Sequence, residues 1–149
     1  MESKYYEPEI EDLNIGQEIW ITNLDNYAKV HDNLPCKGII TELTDYPTVW
    51  VKTEKNSKYE IYPYMIEIKY LDKEDIESLG WNFNNEHLGP YLKFKFNNSF
   101  RYLYFDAKYN KIVIDNGGWY EHNIQYFQGT IKNKSELIKL MKQIGINGK

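Results

Sequence analysis

Residues able to do nucleophilic or ligating chemistry are few and scattered. Cys36 is the one thiol, so a Cys–His dyad would need His31, His87 or His122. Cys36 follows Pro35 at the head of an apolar run, where a small packed thiol is the ordinary outcome. A metal would draw on His87 or His122 with Glu86, Glu121, Asp106 or Asp115, since imidazole and carboxylate oxygens suit zinc or manganese. The repeated ligand spacing of a metal motif is missing. In the pairs Glu86-His87 and Glu121-His122, moreover, neighbours on a strand would point to opposite faces. No Gly-x-Ser-x-Gly, glycine-rich phosphate loop or Gly-x-Gly-x-x-Gly fingerprint occurs. The expectation is a protein without catalytic residues, metal or cofactor.

Contact chemistry is better represented. The run Asp115-Asn116-Gly117-Gly118-Trp119-Tyr120-Glu121-His122 joins two glycines, free to take unusual backbone angles, to an aromatic pair, an acid and an imidazole. Aromatics on a mobile loop are frequent anchors in interfaces. The plain alternative is a hairpin tip whose Trp119 folds back on the core. In Arg101-Tyr102-Leu103-Tyr104-Phe105 both strand faces are apolar. One face would be covered by the final helix, and the other by a second body: the barrel half of the chain, a second copy or a foreign protein. Candidate partner-binding residues are therefore Tyr102, Tyr104, Asp115, Trp119, Tyr120, Glu121 and His122.

Charge narrows the partner. Eighteen basic residues against 22 acidic ones give a net charge of −4, and Arg101 is the single arginine. Nucleic-acid affinity comes largely from neutralising phosphates, and arginine is the usual reader of phosphate and guanine. Tyrosines on a sheet could still stack bases. Nucleic acid is the less favoured partner, and a protein the favoured one, with a second copy of the chain as a further option. The lysine, asparagine, isoleucine and tyrosine bias also fits an AT-rich coding sequence. One cysteine permits no internal disulfide and fits a reducing cytoplasm. No apolar run approaches the roughly 20 residues that cross a bilayer, and the first residues have no apolar stretch of a signal peptide. No membrane association is expected.

These residues must be held by elements, and the periodicity predicts mainly strands. A chain of 149 residues suits one compact domain or two very small ones, and 14 tyrosines with six phenylalanines and four tryptophans suffice for a core. Residues 1–12 carry five acids and read as a loose or peripherally docked arm. Alternation predicts strands at 15–21, 36–43, 48–53, 58–62 and 65–68, with a long polar loop over 22–34. Val49, Val51, Tyr59 and Ile61 fall to one face of a hairpin. Pro63 ends or bends its strand. Such short strands at close intervals predict a small SH3-like β-barrel over 13–71.

At Asp72 the period changes to that of a short helix, capped by Asp72 and stopped at Gly80, placed between two packed halves. Tyr91-Leu92-Lys93-Phe94-Lys95-Phe96 then alternates with the lysines outside. Strands over 101–106 and 111–115 complete a three-stranded antiparallel meander, with a fourth in the region 124–127. Asn133 caps a final helix whose Leu137, Ile138, Leu140, Met141 and Ile144 form one apolar stripe. The fold class is α+β: an acidic arm (1–12), an SH3-like barrel (13–71), and an antiparallel meander packed by a C-terminal helix (72–149).

The opening Leu13-Asn14-Ile15-Gly16, the central Ile66-Glu67-Ile68 with Leu71 to Gly80-Trp81, and the closing helix to Gly145-Ile146 resemble small proteins of Bacteroidota and their phages or mobile elements. The resemblance covers most of the chain in short pieces and carries no catalytic residues. It implies an accessory protein. The expectation is a non-enzymatic, cytoplasmic binding protein acting by protein contact, concretely an inhibitor of a host defence nuclease of the anti-CRISPR kind. An acidic protein would suit a basic nucleic-acid channel. The alternatives are a nucleic-acid or nucleotide-binding SH3-like module and a small metal-dependent hydrolase.

Overall fold

The structure, a computed structural model, describes residues 4–27, 30, 32–97, 99–118 and 120–146. Of residues 85–88 and 120 it describes the backbone alone. The chain forms two units, residues 1–69 and 70–149.

The N-terminal unit is a six-stranded antiparallel array. Its strands are β1 (Tyr5–Tyr6), β2 (Glu18–Ile21), β3 (Cys36–Leu43), β4 (Val49–Thr53), β5 (Lys58–Ile61) and β6 (Ile66–Lys69). They pair in the order β1-β6-β2-β3-β4-β5. Alternation decides the inward set. Ile19, Ile21, Ile40, Val49, Val51, Tyr59 and Ile61 are all buried in one cluster, where apolar side chains leave water and the outward neighbours stay wet. Among the described residues no ladder joins β5 to β1, so the pairing gives a sheet and not a closed barrel. The first long strand begins at Glu18 and not at Ile15, because Gly16 turns the chain at φ +86° and leaves Ile15 exposed. Part of the acidic arm is built into the fold. Tyr5 and Tyr6 pair with Lys69 and Ile68, and Ile10 packs on the core. Pro63 opens a 3-10 turn to Met65, which carries the chain from β5 to β6.

The C-terminal unit packs helices on one face of a five-stranded antiparallel sheet. Helix α1 (Lys73–Ser78) starts at the Asp72 cap, whose carboxylate accepts the Asp75 N–H, and Gly80 ends it at φ +101°. Its Ile76 is fully buried in this unit's core beside Leu79 and Trp81. The strands are β7 (Trp81–Leu88), β8 (Tyr91–Phe96), β9 (Tyr102–Asp106), β10 (Lys111–Asp115) and β11 (Gln125–Thr130), in the order β11-β10-β9-β8-β7. The sheet is wider than the expected meander. The sequence gives no strand at 81–88, where Asn82, Asn84 and Asn85 dilute the strand signal, yet Trp81 and Phe83 pair with Phe96 and Phe94. Helix α2 (Lys134–Gln143) is capped by Asn133 and buries Leu137, Leu140 and Met141 against Phe94, Leu103, Phe105, Ile112 and Ile114. Among the described residues no helix is long and apolar enough to cross a membrane.

Candidate interaction surface

The alternation that sends Phe94, Leu103, Phe105, Ile112 and Ile114 under the helices sends their neighbours to the opposite face of the C-terminal sheet. Register then sets which neighbours meet. Lys93 lies across from Tyr104, and Tyr104 from Val113. One row on, Lys95 lies across from Tyr102, and Tyr102 from Asp115. All six side chains are half-buried, whereas Phe94, Leu103, Phe105, Ile112 and Ile114 on the inner face are buried and Leu92 and Phe96 there are half-buried.

Two cations share one ring on this face. The Lys93 ammonium stands 5.0 Å from the centroid of the Tyr102 ring, and the Lys95 ammonium 5.8 Å from it. Both lie within reach of the ring's negative quadrupole. Gly117 approaches the same ring closely, and a Cβ there would lie 2.5 Å from Tyr102 Cε2. Tyr102 is thus held between lysines and the backbone of the loop that follows β10.

That loop, expected as a mobile contact loop or a hairpin tip, is tied by its own amides. The Asp115 carboxylate accepts the Gly117 N–H at 2.8 Å. Asn116 Oδ1 accepts the N–H groups of Gly118 and Ile124, both at 2.9 Å, and its Nδ2 donates to the His122 carbonyl. Asn123 Nδ2 donates to the Gly118 carbonyl at 3.0 Å. A Cβ on Gly118 would run into the His122 backbone, so this glycine is required for close approach, and Gly117 for its φ of +72°.

Of the seven expected contact residues, register brings Tyr102, Tyr104 and Asp115 together, with Asp115 already engaged by the loop. Glu121 and His122 are exposed in a 3-10 turn over Tyr120–His122. Trp119 and the Tyr120 side chain lie outside the described residues. For Lys93 and Lys95 the alternation of 91–96 predicts only a solvent-side position. The one sequence signal for more was their spacing of two on a strand facing tyrosines of the same spacing.

Other candidates separate. His31 and the His87 side chain lie outside the described residues. Among the described residues no group of three His, Cys, Asp or Glu could hold a metal ion. Burial pushes the Cys36 thiol up from its ordinary value, and the charges of Asp32 and Glu54 push it further, against Lys55. That is the opposite of an activated nucleophile. Asp32 is buried, which alone would raise its carboxyl, but hydrogen bonds from Tyr59, Thr53 and Ser57 and the charge of Lys55 hold it below the usual value. Its best-defined partner is the Tyr59 hydroxyl, donating to Oδ2 at 2.8 Å. This group fastens the 22–35 loop to the β4–β5 hairpin. An open groove of about 590 Å³ runs over the outer face of β2, β3 and β4. There Lys37 pairs with Glu18 at 2.9 Å, and the hydrogen bond and charge of Glu18 hold the ammonium above its ordinary value. Compared with known protein families, curated proteins and solved structures, the chain matches none of them.

Proposed function

We propose that this chain is a non-enzymatic binding protein that acts by contact with another protein, through the outer face of its C-terminal sheet. One observation supports the reading above the others: the two faces of a single sheet are finished differently. The inner face is closed under helices by Phe94, Leu103, Phe105, Ile112 and Ile114. The outer face leaves Tyr102, Tyr104 and Val113 half-buried in adjoining register positions. Tyrosine offers a large, rigid contact area with a polar tip, at low conformational cost, and is enriched at interfaces for that reason.

The reading extends to the N-terminal unit as an SH3-like module. Its support is that β2 neighbours both β3 and β6, so the first and last long strands adjoin as a small barrel requires. A phage or mobile-element accessory role, as inhibitor of a host defence nuclease in the cytoplasm, is the narrowest form. The acidic excess supports it, since negative charge suits a basic nucleic-acid channel.

The test is affinity capture with the full chain and its Tyr102→Ala/Tyr104→Ala variant, both checked for fold by circular dichroism. A protein held in stoichiometric amount by the parent and lost by the variant is the expected result. Identical capture by both, or recovery of nucleic acid without protein, overturns the proposal.

A further inference from the structure

We infer that the outer edge of strand β11 is a dimerisation site, paired antiparallel with β11 of a second copy of this chain. This edge is distinct from the outer sheet face, and the inference does not rest on the reading of that face. β11 is the last strand of its sheet, and among the described residues it pairs with β10 alone. Two bonds fix which way its backbone points. The Ile131 N–H donates at 2.8 Å to the carbonyl of Asn110, the residue before β10, whereas the Lys132 carbonyl accepts the Leu71 N–H at 2.8 Å. Backbone groups alternate in direction along a strand. Phe127 and Gly129 therefore face β10 as Ile131 does, and Gln128 and Thr130 face away as Lys132 does. Leu71 covers the edge at Lys132, while Gln128 and Thr130 are exposed.

The other edges of the two sheets are guarded. β1 is only two residues long, and the Tyr27 hydroxyl holds the N–H and carbonyl of Glu60 on β5. β7 breaks register with β8 in its middle, between Asn84 and His87, and Glu86 falls within the break. Short strands, covered groups, bulges and charges are the ordinary means of keeping an edge from pairing. β11 carries no charge at all. Between Glu121 and Lys132 lie ten residues without Asp, Glu, Lys or Arg, the longest such run in the chain. Its one register shift with β10 falls near its start, opposite Ile114 and Asp115, and pairing is regular from Phe127 to Thr130.

The strand is complementary to itself, which selects a second copy as the occupant. Antiparallel pairing about a two-fold axis at Gly129 sets Gln128 of each copy against Thr130 of the other. Both outward residues of both copies then exchange their N–H and C=O groups. Gly129 falls opposite its own copy at a non-hydrogen-bonded position, where Cα atoms approach to about 4.5 Å, and it has no side chain to obstruct them. On the inner face the Phe127 ring covers it, since a Cβ there would lie 2.8 Å from Phe127 Cζ. An uncharged strand sets no like charges across the axis, in a chain whose net charge of −4 otherwise opposes meeting its copy. The pairing uses up the β11 edge of both copies and leaves only guarded edges, so association stops at two.

The experiment is analytical ultracentrifugation of the full chain from low to high micromolar concentration, with amide hydrogen exchange at both ends of the range. The contact is small, below the roughly 1,200 Å² of a standard interface, so the dimer is expected in the upper part of that range. Exchange at Gln128 and Thr130 should slow as the dimer forms, while Gly129, already bonded to β10, should not respond. Gln128→Pro removes an N–H that makes no bond to β10, and by symmetry it deletes two bonds between copies. The dissociation constant should rise at least about tenfold. Gln128→Lys leaves the backbone intact, brings an ammonium to the axis from each copy, and should weaken the dimer likewise, so the site stays testable if the proline variant misfolds. A parent that stays monomeric throughout, or a dimer that survives both substitutions, overturns the inference. Tyr102→Ala/Tyr104→Ala should dimerise as the parent does. Loss of the dimer there, with the Gln128 variants unaffected, would place the contact on the outer face and refute the edge.

Discussion

The Tyr27 hydroxyl satisfies both backbone groups of Glu60, accepting its N–H at 2.6 Å and donating to its carbonyl at 2.8 Å. Glu60 lies on β5, the last strand of its sheet, so these groups would otherwise point outward as an unpaired edge. Unpaired edges template pairing with other chains, and a phenol placed across one blocks that route. The Tyr27 ring packs edge-on against Tyr59, whose own hydroxyl reaches Asp32. One polar chain thus pins the 22–35 loop along the edge.

Tyr27→Phe keeps the ring contact and removes the hydroxyl. Two modest hydrogen bonds disappear, so stability should fall by about 1–2 kcal/mol in urea unfolding. The freed edge should also show concentration-dependent association by light scattering. A variant as stable and as monodisperse as the parent would show that water replaces the phenol without loss.

How far the sequence reveals these arrangements depends on their range. Alternation in 91–96 and the capped stripe from Asn133 to Ile144 are local patterns, and both elements form with nearly those bounds. Strand β7 escapes because asparagine is a poor strand former, and its identity comes from pairing Trp81 and Phe83 with residues on β8. The candidate surface divides in the same way. Tyr102 and Tyr104 are visible from their period on one strand. That Lys93 and Lys95 share the Tyr102 ring depends on register across the β8–β9 turn, where Asn97 takes φ +46°. No single strand carries that information. The Tyr27–Glu60 bond is more distant still, linking a loop residue to a strand 33 positions on.

Stability at low pH should report the Asp32 carboxylate. The fold holds this group below its ordinary value, so the unfolded chain takes up the proton first as pH falls. Its contribution is complete above the unfolded value of about 3.9 and drains away as pH drops through the folded one. The urea midpoint of the parent should therefore fall more steeply below about pH 4 than that of Asp32→Asn, the two curves converging in strong acid. Parallel curves would mean that the hydrogen bonds from Tyr59, Thr53 and Ser57 do not favour the charged form.

Cys36 should be a slow thiol. Its folded value is raised by burial first and by the neighbouring charges of Asp32 and Glu54, so little thiolate exists near neutral pH. Alkylation by iodoacetamide at about pH 7.5 should run several-fold slower than for an unstructured cysteine near its ordinary value of about 8.5. Asp32→Asn should quicken it by removing one of the opposing charges. A rate in the parent equal to that of free cysteine contradicts the assignment.

Gly117 joins the loop to the sheet face and gives the sharpest structural test of the surface. Alanine there meets two separate penalties. Its φ of +72° is left-handed, which costs an L side chain roughly 1–2 kcal/mol, and its Cβ would press on the Tyr102 ring from 2.5 Å. The ring has limited room to yield, because Lys93 and Lys95 stand over it. Gly117→Ala should lower stability by about 2–3 kcal/mol and shift the Tyr102 and Lys95 signals in NMR spectra together. Gly89→Ala is the control: it is also left-handed, at φ +61°, but among the described residues no atom lies within 4 Å of its would-be Cβ. It should lose only the backbone part. Equal losses in the two variants would show that Gly117 serves the turn alone and that Tyr102 does not depend on the loop.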